Sequence, residues 1–144
     1  MERFRYLPHT ADMRFRSYGK GFGEALENAA LALLNAMLDI KRIEASKSRN
    51  MHVAIKERAD TESQLVWFTL QDILSKVDSR KLNAYAFRIV SLKASKDGLQ
   101  LKGMLLFKST PDDNAMLSVK AITPHGLDVR KHKGRVTINV VADV

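Results

Sequence analysis

Residues 22–38 constrain the fold most, because their apolar side chains recur at intervals of three and four residues. Side chains at this spacing lie on one face of an α-helix. The apolar set comprises Phe22, Leu26, Ala29, Ala30, Leu33, Leu34, Met37 and Leu38. Glu24 falls in the first turn, where the helix dipole favours a negative charge. The pattern predicts an amphipathic helix of about four turns that packs through one face.

A second helix is predicted where Thr61, Glu62, Ser63 and Gln64 match a capping box. In this motif the Thr hydroxyl and the Gln side chain satisfy free backbone donors at the helix start. An apolar side then continues to about residue 77. Trp67 widens that side, and we expect it to pack against a sheet, the alternative being a protein interface.

Much of the remaining sequence alternates apolar and polar residues, as half-buried β-strands do. The predicted strands span residues 4–7, 13–18, 51–56, 85–93, 99–108, 116–123, 127–130 and 136–142. Asp97 and Gly98 supply the positive φ of a tight hairpin. Residues 41–50 are polar and basic, which predicts an exposed connection. The chain is thus predicted to be one α+β domain over residues 1–144, with two main helices packed on a largely antiparallel sheet in two layers.

The composition excludes several classes of chemistry. The chain has no cysteine, which removes disulfides, zinc–thiolate sites, iron–sulfur clusters and cysteine nucleophiles. No serine lies in a Gly-X-Ser-X-Gly elbow. Asp112 and Asp113 are adjacent in a Pro-containing loop. Adjacent carboxylates there are more typical of a solvent-exposed loop than of a catalytic acid–base pair. We predict no catalytic residue, and any metal must bind to oxygen or histidine.

The formal net charge of +8 indicates acidic partners, such as RNA or an acidic protein surface. Direct RNA contact stays open at this point, with the last hairpin as its candidate surface: Arg130, Lys131, Lys133 and Arg135. The apolar runs are shorter than the roughly 20 residues that span a bilayer. Residues 1–5 lack a signal-peptide core. We therefore expect a cytoplasmic protein with no membrane association.

Two carboxylate-bearing segments are candidates for a metal site. Asp12 lies in a short polar loop between two predicted strands, and Asp143 and Val144 follow the last one. The Asp143 side chain, the Val144 carbonyl and the free α-carboxylate share one small volume, to which Asp12 would add a third anionic group. Hard cations such as Ca²⁺ bind six to eight oxygens, including waters. The alternative is that Asp12 caps a turn and Asp143 is a frayed terminal residue.

Four sequence blocks form an ordered set along essentially the whole chain. They are His9-Thr10-Ala11-Asp12; Gly19-Lys20 with Glu24-Ala25-Leu26-Glu27-Asn28-Ala29-Ala30, Asn35, Met37 and Asp39; KAITPHGLDV at residues 120–129; and Asp143-Val144. In these blocks the chain resembles the archease family of tRNA-splicing ligase cofactors.

The resemblance implies a protein cofactor and not an enzyme. Archeases assist a guanylylating RNA ligase of the RtcB type, which joins tRNA exon halves using GTP and divalent metal. The implied activity is to speed transfer of GMP onto the ligase histidine and so allow multiple turnover. A chaperone or binding module for another tRNA-modifying enzyme, such as a tRNA methyltransferase, is the alternative.

The resemblance also implies the site. Its metal ligands fall on Asp12, Asp143 and Val144, with calcium as the expected ion. His9, Lys120 and His125 lie in the matching blocks and are candidates for contact with these ligands or with the partner.

The chain departs from the family pattern near this site. Pro8 stands where an acidic residue is common, Met13 and Arg14 replace Ile-Gly, and Phe68 occupies the middle of the second helix, where Asp is usual. We expect no acidic ligand beyond the residues named above.

Overall fold

The computed structural model describes residues 1–8 and 11–144. Its elements are β1 (Phe4–Leu7), β2 (Met13–Gly19), α1 (Phe22–Met37), α2 (Ile40–Ala45), β3 (Asn50–Ala59), α3 (Glu62–Arg80), β4 (Asn83–Ser95), β5 (Gly98–Lys108), β6 (Ala121–His132) and β7 (Arg135–Asp143). All of the strand pairings between these elements are antiparallel. The predicted α+β class, with helices packed on antiparallel strands, is confirmed.

Both predicted long helices form, and local hydrogen bonds explain where they begin. At the start of α1, the Lys20 N–H donates to Glu24 Oε1 at 3.3 Å. At the start of α3, the Gln64 N–H donates to Thr61 Oγ1 at 3.1 Å, and Gln64 Oε1 accepts from the Asp60 N–H at 3.0 Å. The predicted cap of α3 is therefore present. Within residues 1–8 and 11–144, no helix is long and apolar enough to span a membrane.

The strands divide into two sheets, which the sequence pattern does not indicate. One has the order β1-β2-β7-β6 and the other has the order β3-β5-β4. Helix α1 packs against β2, β7 and β4, and helix α3 packs against β6 and β3, so each long helix contacts both sheets. The core therefore lies between the helices and the two sheets. Its fully buried side chains include Phe15, Leu26, Leu33, Leu70, Ile73 and Phe87.

The exposed connection expected at residues 41–50 is wrong for its first half, because helix α2 occupies it. Asp39 Oδ1 caps this helix by accepting from the Arg42 N–H at 3.2 Å. Ile40 and Ile43 are buried and hold the helix against the core. With six residues, α2 is too short for hydrophobic periodicity to reveal it.

The two short strands expected at residues 116–123 and 127–130 are wrong in their bounds. The structure has one strand there, β6, which starts at Ala121. Residues 124–127 bulge opposite Val140 alone. Gly126, with φ of +82°, takes the left-handed conformation that this bulge contains. Met116 lies outside the strand and bonds to the end of α1.

A carboxyl pair lies between β3 and α3. Glu57 on the strand shares a hydrogen bond with Asp72 on the helix, and Lys76 Nζ lies 2.5 Å from Asp72 Oδ1. Burial raises the pKa of Glu57 from 4.5 to about 8, aided by the hydrogen bond to Asp72 and by its negative charge, while Lys76 acts in the opposite direction. Glu57 is therefore mostly protonated at neutral pH in the folded chain.

This pair makes the free energy of unfolding depend on pH. Between about pH 4.5 and about pH 8 the folded chain retains a proton on Glu57 that the unfolded chain has released, so stability falls as the pH rises through this window. We expect the urea unfolding midpoint to be lower at about pH 7.5 than at about pH 5.5. Glu57→Gln, a neutral isostere, should flatten that difference.

The matched control for this measurement is Glu44→Gln, because Glu44 is exposed on α2. It should leave the pH dependence as in the parent chain. A pH dependence that survives Glu57→Gln unchanged would assign it to other groups.

Candidate metal-binding tip

Strand register brings the two carboxylate segments to one end of the four-stranded sheet. Met13 at the start of β2 pairs with Ala142, and Asp143 at the end of β7 pairs with Ala121. Asp12 is therefore one residue beyond the last pair of β2 and β7. Neighbouring strands lie about 4.8 Å apart. We call Asp12, Lys120, Asp143 and Val144, which share this end, the tip.

Lys120 is attached to the tip through its backbone. It precedes β6, and its N–H donates to the Asp143 carbonyl oxygen at 2.7 Å. Its side chain is exposed. This bond fixes the end of β7 against the segment that enters β6, so Lys120 belongs to the same exposed end as Asp143.

Of the two histidines predicted near the site, the structure describes only His125. His9 lies outside the described residues, so its assignment stays a prediction. His125 is in the bulge of β6, where its side chain is exposed and its N–H donates to Thr123 Oγ1 at 3.2 Å. Thr123 pairs with Val141, two residues before Asp143. His125 is thus on the strand that borders the tip, and a contact with the ligands stays a prediction.

Helix α3 positions the start of β6 through two side chains. The Trp67 Nε1–H donates to the Ile122 carbonyl oxygen at 2.7 Å, and Gln71 Oε1 accepts from the Ile122 N–H at 2.9 Å. Both backbone groups of Ile122 are therefore bonded to the helix at the outer edge of the sheet. The expectation that Trp67 packs against a sheet is consistent with this contact. Sequence reasoning missed the role of Gln71, because it depends on which strand the helix covers.

The described residues supply oxygen ligands and no preformed side-chain cage. Within residues 1–8 and 11–144, no group of three or more His, Cys, Asp or Glu side chains could hold a metal ion. The predicted set has only two side-chain carboxylates, on Asp12 and Asp143, together with main-chain oxygen of Val144. Asp12 is half-buried, whereas Asp143 and Val144 are exposed. Such a donor set fits a hard cation whose remaining positions are filled by water or a partner.

A cleft of about 670 Å³ opens beside the segment that leads to Lys120. It lies between the C-terminal ends of α1 and α3 and the loop of residues 110–118. Met116 and Leu117 are exposed at this loop, with 68% and 43% of their surface accessible. The sequence pattern gives no sign of this cleft, because distant segments form it.

Asp112 and Asp113 organise this loop through ordinary structural bonds. Asp113 Oδ1 accepts from the Ala115 N–H at 3.0 Å, and the Asp112 carbonyl accepts from Asn83 Nδ2 at 3.1 Å. Both aspartates are exposed. These contacts agree with a loop role for the pair.

Comparison with known proteins decides the family. Residues 4–144 match the Archease protein family (MTH1598/TM1083). The chain belongs to the archease family. It is 30% identical over 149 residues to the protein archease of Methanosarcina barkeri, and the alignment covers 99% of this chain and 97% of that relative.

Two solved structures share the archease fold of this chain. The solution structure of Methanobacterium thermoautotrophicum protein 1598 has a TM-score of 0.78 and 26% sequence identity, with 100% of both chains covered. The crystal structure of a Thermotoga maritima archease, described as a possible chaperone, has a TM-score of 0.60 and 17% identity, covering 96% of this chain and 94% of that one. The family predicted from the four sequence blocks is confirmed.

The contact between α3 and β6 gives a prediction about the tip of this archease. Gln71→Ala should leave the Ile122 N–H without its acceptor, which costs about 1–3 kcal/mol in the free energy of unfolding. Hydrogen exchange should accelerate at Ile122 and at its neighbours at the start of β6.

Gln100→Ala on β5 is the control, since it shortens the same side-chain type on the other sheet. Unchanged exchange at Ile122 in Gln71→Ala would show that the helix does not hold the start of β6.

Proposed function

We propose that this archease activates an RtcB-type RNA ligase by promoting guanylylation of the ligase with GTP and thereby allowing multiple turnover. Family membership supports the proposal, and one structural observation carries it. The pairing of β7 with β2 and β6 collects Asp12, Asp143 and Lys120 at a single end, at which Asp143 and Lys120 are exposed. A chain of this kind acts as a cofactor in the cytoplasm, where RNA processing supplies its partner.

The proposed role of the tip is to hold a divalent cation, which we expect to be calcium. Asp12, Asp143 and main-chain oxygen of Val144 would hold it, with waters in the remaining positions. When bound, the ion supplies concentrated positive charge at an end that otherwise carries carboxylates. Lys120, whose backbone N–H bonds to the Asp143 carbonyl oxygen, adds a positively charged residue to the same end. In this proposal the residues of the tip enter the ligase active site and help to position GTP or a catalytic metal.

A second function is a chaperone or binding module for another tRNA-modifying enzyme, such as a tRNA methyltransferase. Two observations favour it. The Thermotoga maritima structure is described as a possible chaperone, and Met116 and Leu117 are exposed at the cleft between the C-terminal ends of α1 and α3 and the loop of residues 110–118. Co-purification from cells discriminates between the two functions. A stable complex with a methyltransferase and no ligase would favour the second.

The first function predicts a change in ligase turnover. With the cognate ligase, GTP and divalent metal, addition of this chain should convert single-turnover RNA joining into multiple turnover. Asp143→Asn, which keeps the side-chain size but removes the charge, should abolish most of that stimulation. The measurement is product formed per ligase molecule over time.

Asp97→Asn is the matched control for this assay. Asp97 is in the turn between β4 and β5, at the end of the three-stranded sheet opposite to the pair of Asn83 and Lys108. It should stimulate as the parent chain does. The proposal fails if the parent chain gives no increase in turnover, or if both variants lose stimulation equally.

The metal site has a prediction of its own that needs no ligase. Calorimetric titration with Ca²⁺ should show one site, and Asp12→Asn or Asp143→Asn should weaken it by at least about tenfold, since even removal of a group that only supports a ligand costs that much. Asp97→Asn should bind as the parent chain does. Equal binding by all four proteins would place the ion elsewhere.

A further inference from the structure

The four-stranded sheet has one face on the helices and one open face. On β2, Phe15 is fully buried and Ser17 Oγ donates to the Ala25 carbonyl on α1 at 2.8 Å, so these two side chains point towards the helix. Successive side chains of a strand point to opposite sides. Arg14 and Arg16 therefore point away from the helix, onto the open face.

The register extends this arginine pattern across all four strands. Arg5 pairs with Arg16, and Arg130 pairs with Thr137, which also pairs with Tyr18. The Arg135 guanidinium stacks over the Tyr18 ring, 4.1 Å from its centroid. Arg3, one residue before β1, continues the register because its carbonyl oxygen accepts from the Tyr18 N–H at 2.9 Å. We call this open surface the arginine face, and its members are Arg3, Arg5, Arg14, Arg16, Arg130 and Arg135.

The arginine face is not a by-product of a generally basic composition. It holds six of the eleven arginines of the chain. The four strands contain a single lysine, Lys131, which points to the opposite side, where its Nζ lies 3.0 Å from Glu62 Oε1 on α3. Lys131 of the patch predicted at the last hairpin therefore lies on the other side of the sheet from Arg130 and Arg135, and RNA contact through that patch stays a prediction. In this sheet the arginines thus lie on the open face, and the one strand lysine lies on the face towards the helices.

Hydrogen bonds between the strands hold part of this surface in place. Arg16 Nε donates to Asn139 Oδ1 at 2.8 Å, and Asn139 Nδ2 donates to Asp128 Oδ1 at 2.7 Å. Arg130 Nε donates to Asp128 Oδ2 at 3.3 Å. These bonds engage Nε, and each guanidinium has four further N–H donors on its terminal nitrogens. The arginines are thus partly ordered before any ligand arrives, which lowers the entropy lost on binding.

We propose that the arginine face binds the phosphate backbone of RNA. Guanidinium groups match phosphate in a bidentate manner, and several in one plane neutralise successive phosphates. Among the described residues whose strand pairing fixes their side, Tyr18 and His132 are the aromatic ones on this face. The Tyr18 ring is 4% exposed beneath Arg135, and His132 is a single exposed ring, so the two form no platform for a run of stacked bases. Binding therefore depends on the backbone and not on base sequence. Binding to a phosphate polymer follows from the face alone, whereas the choice of RNA over DNA rests on the proposed ligase function.

The arginine face continues along β7 to the tip. On β7 the open face continues from Asn139 through Val141 to Asp143, because alternate residues share a side. RNA bound along the arginine face is thereby held beside the end that carries the proposed metal site. The apolar side chains near this end of the face, Leu7 and Val141, are at least half-buried, which does not favour insertion into a lipid surface.

Fluorescence anisotropy with a labelled single-stranded RNA of roughly 16 nucleotides tests the proposal, since about 16 nucleotides is the upper end of the site covered by one OB-fold, a small single-strand-binding domain. The parent chain should bind, with log affinity falling linearly with log salt. The double variant Arg3→Gln/Arg14→Gln removes two exposed arginines. It should lower the magnitude of the salt slope by about 1.4 and weaken binding about 25-fold near 0.1 M salt, at about 0.7 per phosphate contact.

Arg58→Gln/Arg88→Gln is the matched control, since it removes the same charge from exposed positions on the three-stranded sheet. Its affinity and salt slope should equal those of the parent chain. Equal losses in the two double variants would assign the binding to net charge and overturn the proposal. So would an absence of RNA binding at about 50 mM salt, tighter binding to DNA of the same sequence, or binding to anionic vesicles without binding to RNA.

The assay contains no ligase, so its outcome is separate from that of the proposed function. A chain that binds RNA through the arginine face but fails to raise ligase turnover contradicts the ligase role alone. A chain that raises turnover but shows no RNA binding contradicts this inference alone.

Discussion

Strand β7 is paired on both of its edges, and this double pairing positions the core, the arginine face and the tip. Its backbone bonds to β2 on one side and to β6 on the other. Its inward side chains, Val136, Ile138, Val140 and Ala142, are buried against the helices. Its outward side chains begin with Arg135 on the arginine face and end with Asp143 at the tip. A slip of one residue in this pairing would exchange the two sets and destroy the core, the face and the tip together.

Local features of the fold could be predicted from the sequence, because they depend on neighbouring residues. The periodicity of residues 22–38 and the capping box at Thr61 indicate the two long helices. The predicted hairpin also forms, with Lys96 and Asp97 in its turn and the positive φ at Gly98, the first residue of β5. Helix α2 escaped prediction because two isoleucines are too few to show a period. The bulge of β6 escaped because its length is decided by pairing with β7. Division into two sheets depends likewise on contacts between distant strands.

The candidate site depends even more on contacts between residues that are distant in the sequence. Asp12 and Asp143 lie at opposite ends of the sequence, and only the register of β2 with β7 shows that they share one end of a sheet. From the sequence, ligand chemistry and the family resemblance indicate the pair, but neither shows how the two segments meet. The sequence shows the alternation of basic and apolar residues in β2. It does not show that β1 and β7 are the strands that pair with β2. The roles of Trp67 and Gln71 depend on α3 lying against the edge of β6.

If the paired ends form a divalent-cation site at the tip, a bound ion must lie there, and NMR can locate it. Mn²⁺ prefers the same oxygen ligands and broadens the NMR signals of nearby amides. Titration with small amounts of Mn²⁺ should broaden the amides of Asp12, Lys120 and Asp143 first, and excess Ca²⁺ should restore them. The amide of Gly98 should stay sharp throughout. Broadening centred away from the tip, or spread evenly over the chain and insensitive to Ca²⁺, would contradict the account.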